Sequence, residues 1–312
     1  MTKYGLTRQS LDKHSLAPKK RFGQNFLVNR HTAEAIVRAG NIHKEDTVIE
    51  VGVGLGALTL PLAERAKSVI GLEIDSGIIR LHEEENDLPE NVTLIHQDVL
   101  KADFSHLHEQ CGAPFKIMAN LPYSISNPFI FYLIENRTHV DYATIMLQKE
   151  VADRLMAKPG SKEYGVPSVL LQSCATIRKM MTLKPAEFHP RPKIDSVVVR
   201  IEFSHAPFRS ADGTPYSYAL FQRIVRTSFN QRRKTILNTL SGAALFSENH
   251  PIEKIDVEKV AVDKSVRKIL TEEAISDAGL SPSLRPEVLS LENFISLTIA
   301  FEKIVARQGV VS

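Results

Sequence analysis

The chain has 312 residues, 43% hydrophobic and 24% charged, close to the averages of folded domains and long enough for a sizeable core and two domains. No apolar run approaches the ~20 residues that span a bilayer, and the first thirty residues contain no apolar segment of signal-peptide type, so a cytoplasmic protein with no membrane partner is expected. Cys111 and Cys174 are too few for a disulfide framework, and the eleven histidines form no HxxxH pair or Cys/His cluster, so no metal site is expected.

Net charge is only +3, but it is unevenly spread. Residues 1–30 carry seven Lys or Arg, including Lys19, Lys20 and Arg21, against the single acid Asp12. A second basic cluster is "RIVRTSFNQRRK", residues 223–234. Each alone reads as a solvated surface; together they are the usual footprint of a polyanion site.

In chain order, "DTVIEV", "SVIGLEID", "VTLIHQD", "FKIMAN" and "YATIMLQ" between residues 46 and 148 read as buried strands, rich in Val and Ile. "ALTLPLAERA" and "SGIIRLHEEEN" lie between them with helical spacing, which argues for a parallel sheet covered on both faces. "EVADRLMAK" and "VPSVLLQSCATI" read as two further helices, and "SVVVRIEF" (196–203) as a late strand joining the sheet antiparallel. The polar stretch "SHAPFRSADGTP" (204–215) reads as a boundary. Beyond it, "YALFQRIVRTSFNQRRKTILNTL", "SVRKILTEEAI" and "SLENFISLTIAFEKIVA" predict a small all-helical domain.

The chemistry begins at "VIEVGVGLGALTL", a glycine loop between a strand and a helix, where backbone can approach a ligand closely. Gly52, Gly54 and Ala57 also satisfy the dinucleotide fingerprint, with Glu73 about 20 residues on. The loop alone therefore leaves nicotinamide and adenosylmethionine enzymes both open. Glu73 ends the second strand, placed to accept ribose hydroxyls; Asp98 ends the third, placed to accept an adenine amine; Asn120 ends the fourth. Singly, each acid reads as a cap or a solvated turn. Jointly, at the carboxyl edge of a parallel sheet, they read as an adenosine pocket.

In order along the chain, "KKRFGQNFL", "EVGVGLG", "GLEID", "QDVL", "NLPYSIS" and "FHPRPKIDSVV" resemble the successive motifs of the ribosomal RNA adenine N6,N6-dimethyltransferases. The resemblance runs from about residue 19 to 301 and implies a Rossmann-like class I methyltransferase α/β sheet plus a helical C-terminal domain. It implies S-adenosylmethionine as cofactor, held by Asn25, Leu27, Gly52, Gly54, Glu73, Asp98 and Asn120. It implies that Asn120 and the Leu121 carbonyl accept the N6 hydrogens of a flipped adenine, with Pro122 fixing the backbone. Tyr123 and Phe188 would stack on the base. Val53 stands where the family commonly has Pro, with some loss of loop rigidity expected.

The domains implied are a basic arm (1–30) leading into the cofactor pocket, a methyltransferase domain (31–205) and a helical RNA-binding domain (206–312). "FNQRRKTILNTL" and "RPEVLSLENFISL" resemble the KsgA type, which dimethylates two adjacent adenosines near the 3′ end of small-subunit (16S) RNA, rather than the large-subunit Erm type. The partner implied is that RNA in an immature 30S-type subunit, with a monomeric enzyme. On a continuous helix, Arg223, Arg226 and Lys234 share a stripe with Arg233 beside it, an RNA-facing surface; Arg232 falls on the apolar side and is expected to bridge domains. A binding factor with little catalysis would show a damaged NLPY or cofactor pocket, and neither is damaged.

Overall fold

The computed structural model of the protein describes residues 24–243, Leu245 and 264–309, so Lys19, Lys20 and Arg21 lie outside the described residues. Its centre is a seven-stranded sheet in the order β4-β3-β2-β5-β6-β9-β7. These strands are β2 (Thr47–Val51), β3 (Ser68–Glu73), β4 (Val92–His96), β5 (Phe115–Asn120), β6 (Val140–Gln148), β7 (Ala175–Leu183) and β9 (Ser196–Phe203). The first five are parallel, and β9 runs antiparallel between β6 and β7. A two-residue β1 (Phe26–Leu27) pairs antiparallel with β8 (Phe188–His189).

The apolar runs form strands because they are covered on both faces: four of the five residues of β2, and all but the last of β5, are buried. Helices α1 (Arg30–Ala39), α2 (Thr59–Ala63), α3 (Ser76–Glu85), α4 (Phe104–Cys111), α5 (Ser126–Glu135) and α6 (Lys149–Leu155) connect the strands. Asp75 caps α3 by accepting from the Gly77 amide at 2.9 Å, and Asp103 caps α4 through the Ser105 and His106 amides. Phe104 meets Phe115 and Tyr132 edge-on, at ring separations of 5.2 and 4.9 Å.

Two readings of the sequence are corrected. "VPSVLLQSCATI" is a helix only to Gln172 (α7, Val166–Gln172); Ala175 begins β7. Strand β7 escapes pattern recognition because it is an outer strand, mostly exposed and carrying Arg178 and Lys179. The long helix expected across 218–240 is two, α8 (Tyr218–Phe229) and α9 (Ile236–Leu240), followed by α10 (Lys264–Asp277) and α11 (Leu291–Gly309). The break falls at residues 230–235, where the Ile236 amide donates to Leu284 O at 2.8 Å and Thr235 caps α9. Arg233 and Lys234 therefore sit in a turn, off the expected helical stripe.

The chain divides into two compact units, one comprising residues through Met156 and Ala175–His205, the other Ala157–Cys174 and Ala206 onward. Residues 157–174 thus stand with the helical unit rather than with the sheet, against the expected 31–205 domain. Arg232 belongs to that helical unit, and the partners of its guanidinium lie in the same unit: it donates to Lys162 O at 2.9 Å and to Tyr164 O at 2.8 Å. The helical unit's core includes Tyr164, Phe229 and Phe294, with rings 6.0 and 5.9 Å apart. Among the described residues, no helix is long and apolar enough to cross a membrane.

Candidate active site

The chain builds β2, β3 and β4 outward, then returns to place β5 on the other side of β2. That reversal opens a crevice at the carboxyl ends of β2 and β5, where open α/β sheets bind ligands. A cavity lies there, lined among others by Asn25, Leu27, Gly52, Gly54, Glu73, Asp98, Asn120 and Pro122. Eight of the residues singled out from the sequence therefore meet at one place.

The glycine loop leaves β2 with Gly52 at φ +78° and Gly54 at φ +54°, the left-handed region that side chains avoid. A Cβ on Gly54 would also lie 3.2 Å from the Phe26 ring, so the loop is closed down onto β1. Val53 is buried, with Cγ2 2.5 Å from where a Cβ on Gly71 would stand. The apolar Val53 side chain thus fills the space left by a glycine in β3.

Glu73, only 5% exposed, accepts from the Gly54 amide at 3.1 Å and from the Asp75 amide at 2.8 Å. Burial raises its carboxyl above the usual range despite these donors. One Asp98 oxygen caps the short turn Val99–Lys101 by accepting from the Leu100 amide at 3.0 Å, and the residue stands at the cavity wall. Asn120 donates through Nδ2 to Asn25 O at 3.0 Å, which leaves its Oδ1 for an acceptor role.

The other NLPY residues are placed differently. The Leu121 side chain is buried. Tyr123 is half-buried, its hydroxyl 2.8 Å from Ser196 Oγ, and its ring does not line the cavity. Phe188 is 2% exposed and packs in the core cluster with Leu27, its register partner across β1 and β8. The structure does not bring that ring to the cavity. Its burial follows from the β1–β8 pairing, which the sequence pattern does not reveal.

Two residues at this site escaped the sequence reading. Glu50 lines the cavity at 1% exposure, with neither carboxyl oxygen hydrogen-bonded among the described residues. Burial pushes its pKa up to about 8; Thr59 offsets this slightly without reaching hydrogen-bond geometry, and Glu73 adds to it. The available signal was an acid inside the apolar strand "TVIEV" just before the glycine loop. His82 on α3, 4% exposed, places Nε2 2.8 Å from Gly54 O and Nδ1 2.7 Å from Asp87 Oδ1. Burial opposes its charge, but Asp87, Gly54 O and nearby Glu73 outweigh that and hold its pKa above the usual histidine value.

A cation bound beside the unpartnered Glu50 carboxyl at the cavity wall would favour its ionised form, which suits a positively charged cofactor better than a neutral one. The donors and acceptors present fit S-adenosylmethionine: acids at the ends of β3 and β4, glycine backbone at β2, and Glu50 for positive charge. Among the described residues no cluster of His, Cys, Asp and Glu forms a metal-binding group.

Residues 16–277 match the ribosomal RNA adenine dimethylase family. The chain is 58% identical over 303 residues to Ribosomal RNA small subunit methyltransferase A of Desulfotalea psychrophila, covering 97% of this chain and 98% of that one. It is 38% identical to the protein of the same name from Clostridium botulinum (strain ATCC 19397 / Type A), covering 94% and 97%. In fold it is similar to a dimethyladenosine transferase from Plasmodium falciparum (TM-score 0.70, 24% identity), covering 89% of this chain and 98% of that one. The chain belongs to the ribosomal RNA adenine dimethylase family.

Proposed function

We propose that the protein dimethylates N6 of two adjacent adenosines in a hairpin loop near the 3′ end of small-subunit (16S) rRNA, using S-adenosylmethionine. We place it in the cytoplasm, acting as a monomer on an immature 30S-type subunit. Similarity to proteins named as small-subunit enzymes, at 58% and 38% identity, favours this branch over the large-subunit one.

The cofactor supplies a methyl group already activated on a sulfonium, so no protein nucleophile is required. What the chain must supply is orientation of a poor acceptor, since the N6 lone pair of adenine is delocalised into its ring. The observation that carries this reading is Asn120, whose Nδ2 is held by Asn25 O beside the cavity so that Oδ1 is left to accept. With the Leu121 carbonyl as second acceptor and Pro122 fixing the chain, both N6 hydrogens can be held and the lone pair aimed. Such positioning contributes up to about 7–11 kcal/mol of barrier lowering without an acid or base. A monomethylated nitrogen keeps one hydrogen, so the same grip serves a second transfer.

In this reading Glu73 holds ribose hydroxyls, Asp98 the adenine amine, and Gly52 and Gly54 the backbone approach. Asn25 and Leu27 supply the near wall, and Glu50 balances the positive end of the cofactor. Tyr123 takes one face of the flipped base, worth about 1–3 kcal/mol by analogy with single-strand stacking. Phe188 fixes β1, and with it Asn25, from the core. RNA phosphates are held by Arg226, Arg233 and Lys234, which are exposed, and by the half-buried Arg223.

The test is transfer of labelled methyl groups to 16S rRNA in 30S-type particles, with the modified nucleotides mapped. Asn120→Ala should lower turnover about a hundredfold or more while RNA affinity holds. Equal loss of both would make Asn120 a structural residue.

A further inference from the structure

We propose that Ser196 is a positioning residue for methyl transfer, tying the Tyr123 ring to the strand frame that carries the base acceptors. This role rests on the rRNA reading above and deepens it. Ser196 does not line the cavity and acts only through Tyr123. The two hydroxyl oxygens lie 2.8 Å apart, although the residues are 73 positions apart in the chain. Ser196 is 1% exposed and opens β9, whose first four residues are all buried. A hydroxyl at that depth needs a polar partner, and among the described residues Tyr123 provides it.

The backbone at Ser196 is fixed from several sides. In register it stands opposite Gln148 of β6 and Leu183 of β7. Just before it, Asp195 O accepts from the Lys149 amide at 3.0 Å, and Asp195 Oδ2 accepts from Lys184 Nζ at 2.8 Å. On its other edge β6 pairs with β5, where Met146 stands opposite Asn120. Asn120 and Ser196 are thus both registered on β6, at Met146 and Gln148. The hydrogen bond therefore refers the Tyr123 ring to the same strand that fixes the Asn120 amide.

Tyr123 begins the single turn Tyr123–Ile125, which the Ile125 amide closes on Pro122 O at 3.1 Å. The side chain is held by backbone at one end and by its hydroxyl at the other. Two fixed ends set the direction of the ring axis and leave rotation about that axis, the broad torsion of an aromatic side chain. An entering adenine can then turn the ring parallel to itself without redirecting the side chain. An untethered ring would have more orientations to lose on stacking, and fewer encounters would end with N6 on its acceptors. Burial raises the Tyr123 hydroxyl above its ordinary value despite the Ser196 bond, so the phenol keeps its proton at neutral pH.

The experiment is a double-mutant cycle on Ser196→Ala and Tyr123→Phe, which remove opposite ends of one hydrogen bond. Single-turnover transfer of labelled methyl groups to 30S-type particles is measured with the full chain, and S-adenosylmethionine affinity by equilibrium dialysis. Each single variant should lose about tenfold in rate, the worth of one hydrogen bond, and the double variant about tenfold rather than a hundredfold. Cofactor affinity should hold, and Ser196→Thr, which keeps a hydroxyl, should recover most of the rate. Losses that multiply in the double variant, an unchanged rate in either single variant, or a parallel loss of cofactor affinity would overturn the proposal. If Ser196→Ala loses its circular dichroism, Tyr123→Phe and Ser196→Thr decide instead. A tenfold loss in the first beside a near-parental rate in the second upholds the role, and any other pattern overturns it. No transfer by the parent would sink the enzymatic reading and this role with it; transfer by the parent with multiplying losses would sink this role alone.

Discussion

Replacing Glu50 by Gln should change the pH dependence of stability with a sign fixed by burial. In the folded chain the carboxyl holds its proton until about pH 8, whereas its ordinary value is 4.5. Between those values the unfolded chain binds fewer protons than the folded one, so stability falls as pH rises. The full difference is about 5 kcal/mol, of which about 3 kcal/mol is already lost at pH 7. Gln carries no titratable proton and leaves a buried amide unpaired, a cost of about 1–3 kcal/mol at every pH. The variant should therefore be no more stable than the parent at pH 5 and more stable at pH 8, with a relative swing of about 3–4 kcal/mol. The two compact units need not unfold together, so the measurement is urea unfolding followed by hydrogen exchange of the β2 amides, Thr47–Val51. Parallel stability curves for parent and variant from pH 5 to 8 would refute the assignment of a buried carboxyl that keeps its proton in the folded chain. The same variant should bind S-adenosylmethionine more weakly at pH 8, because the anion facing the cavity is gone.

The remaining expectations follow from single contacts. His82→Leu removes the donor to Gly54 O and the Asp87 pair, and should weaken S-adenosylmethionine binding about tenfold by equilibrium dialysis, since a buried carbonyl left unpaired costs about 1–3 kcal/mol. His82 has a raised pKa, so its stabilisation is whole below about pH 6.5 and lost as pH climbs through the raised value; the variant should lack that loss, and an unchanged pH profile would make the ring a passive filler. Gly71→Ala should destabilise the sheet unit by about 1–3 kcal/mol, because the new Cβ would stand 2.5 Å from Val53 Cγ2. Adding Val53→Ala should recover much of that in urea unfolding, and strict additivity of the two changes would contradict the contact.

The substrate edge was legible because its residues end apolar strands. Glu73, Asp98 and Asn120 each follow a Val- or Ile-rich run, so parallel strand order alone gathers them at one edge. Glu50 was not legible as an unpartnered acid. A strand expected to be covered on both faces already implied burial there, but the strand pattern does not say that this side chain is left unpartnered at the cavity wall. Phe188 depended on a pairing between two-residue strands some 160 positions apart, too short and too distant for any periodicity to mark. The basic cluster failed in geometry rather than in composition. Its helix stops at Phe229 because the next turn's hydrogen bonds go to Lys162, Tyr164 and Leu284, partners that no local pattern names.

The most direct measurement is the crystal structure of the protein with S-adenosylmethionine and a 16S 3′-end hairpin RNA. An extruded adenine with N6 within hydrogen-bond distance of Asn120 Oδ1 and the Leu121 carbonyl, and with the sulfonium methyl on the lone-pair side, is the arrangement expected. An adenine bound with N6 turned away from Asn120, in an RNA that is still methylated, would contradict it.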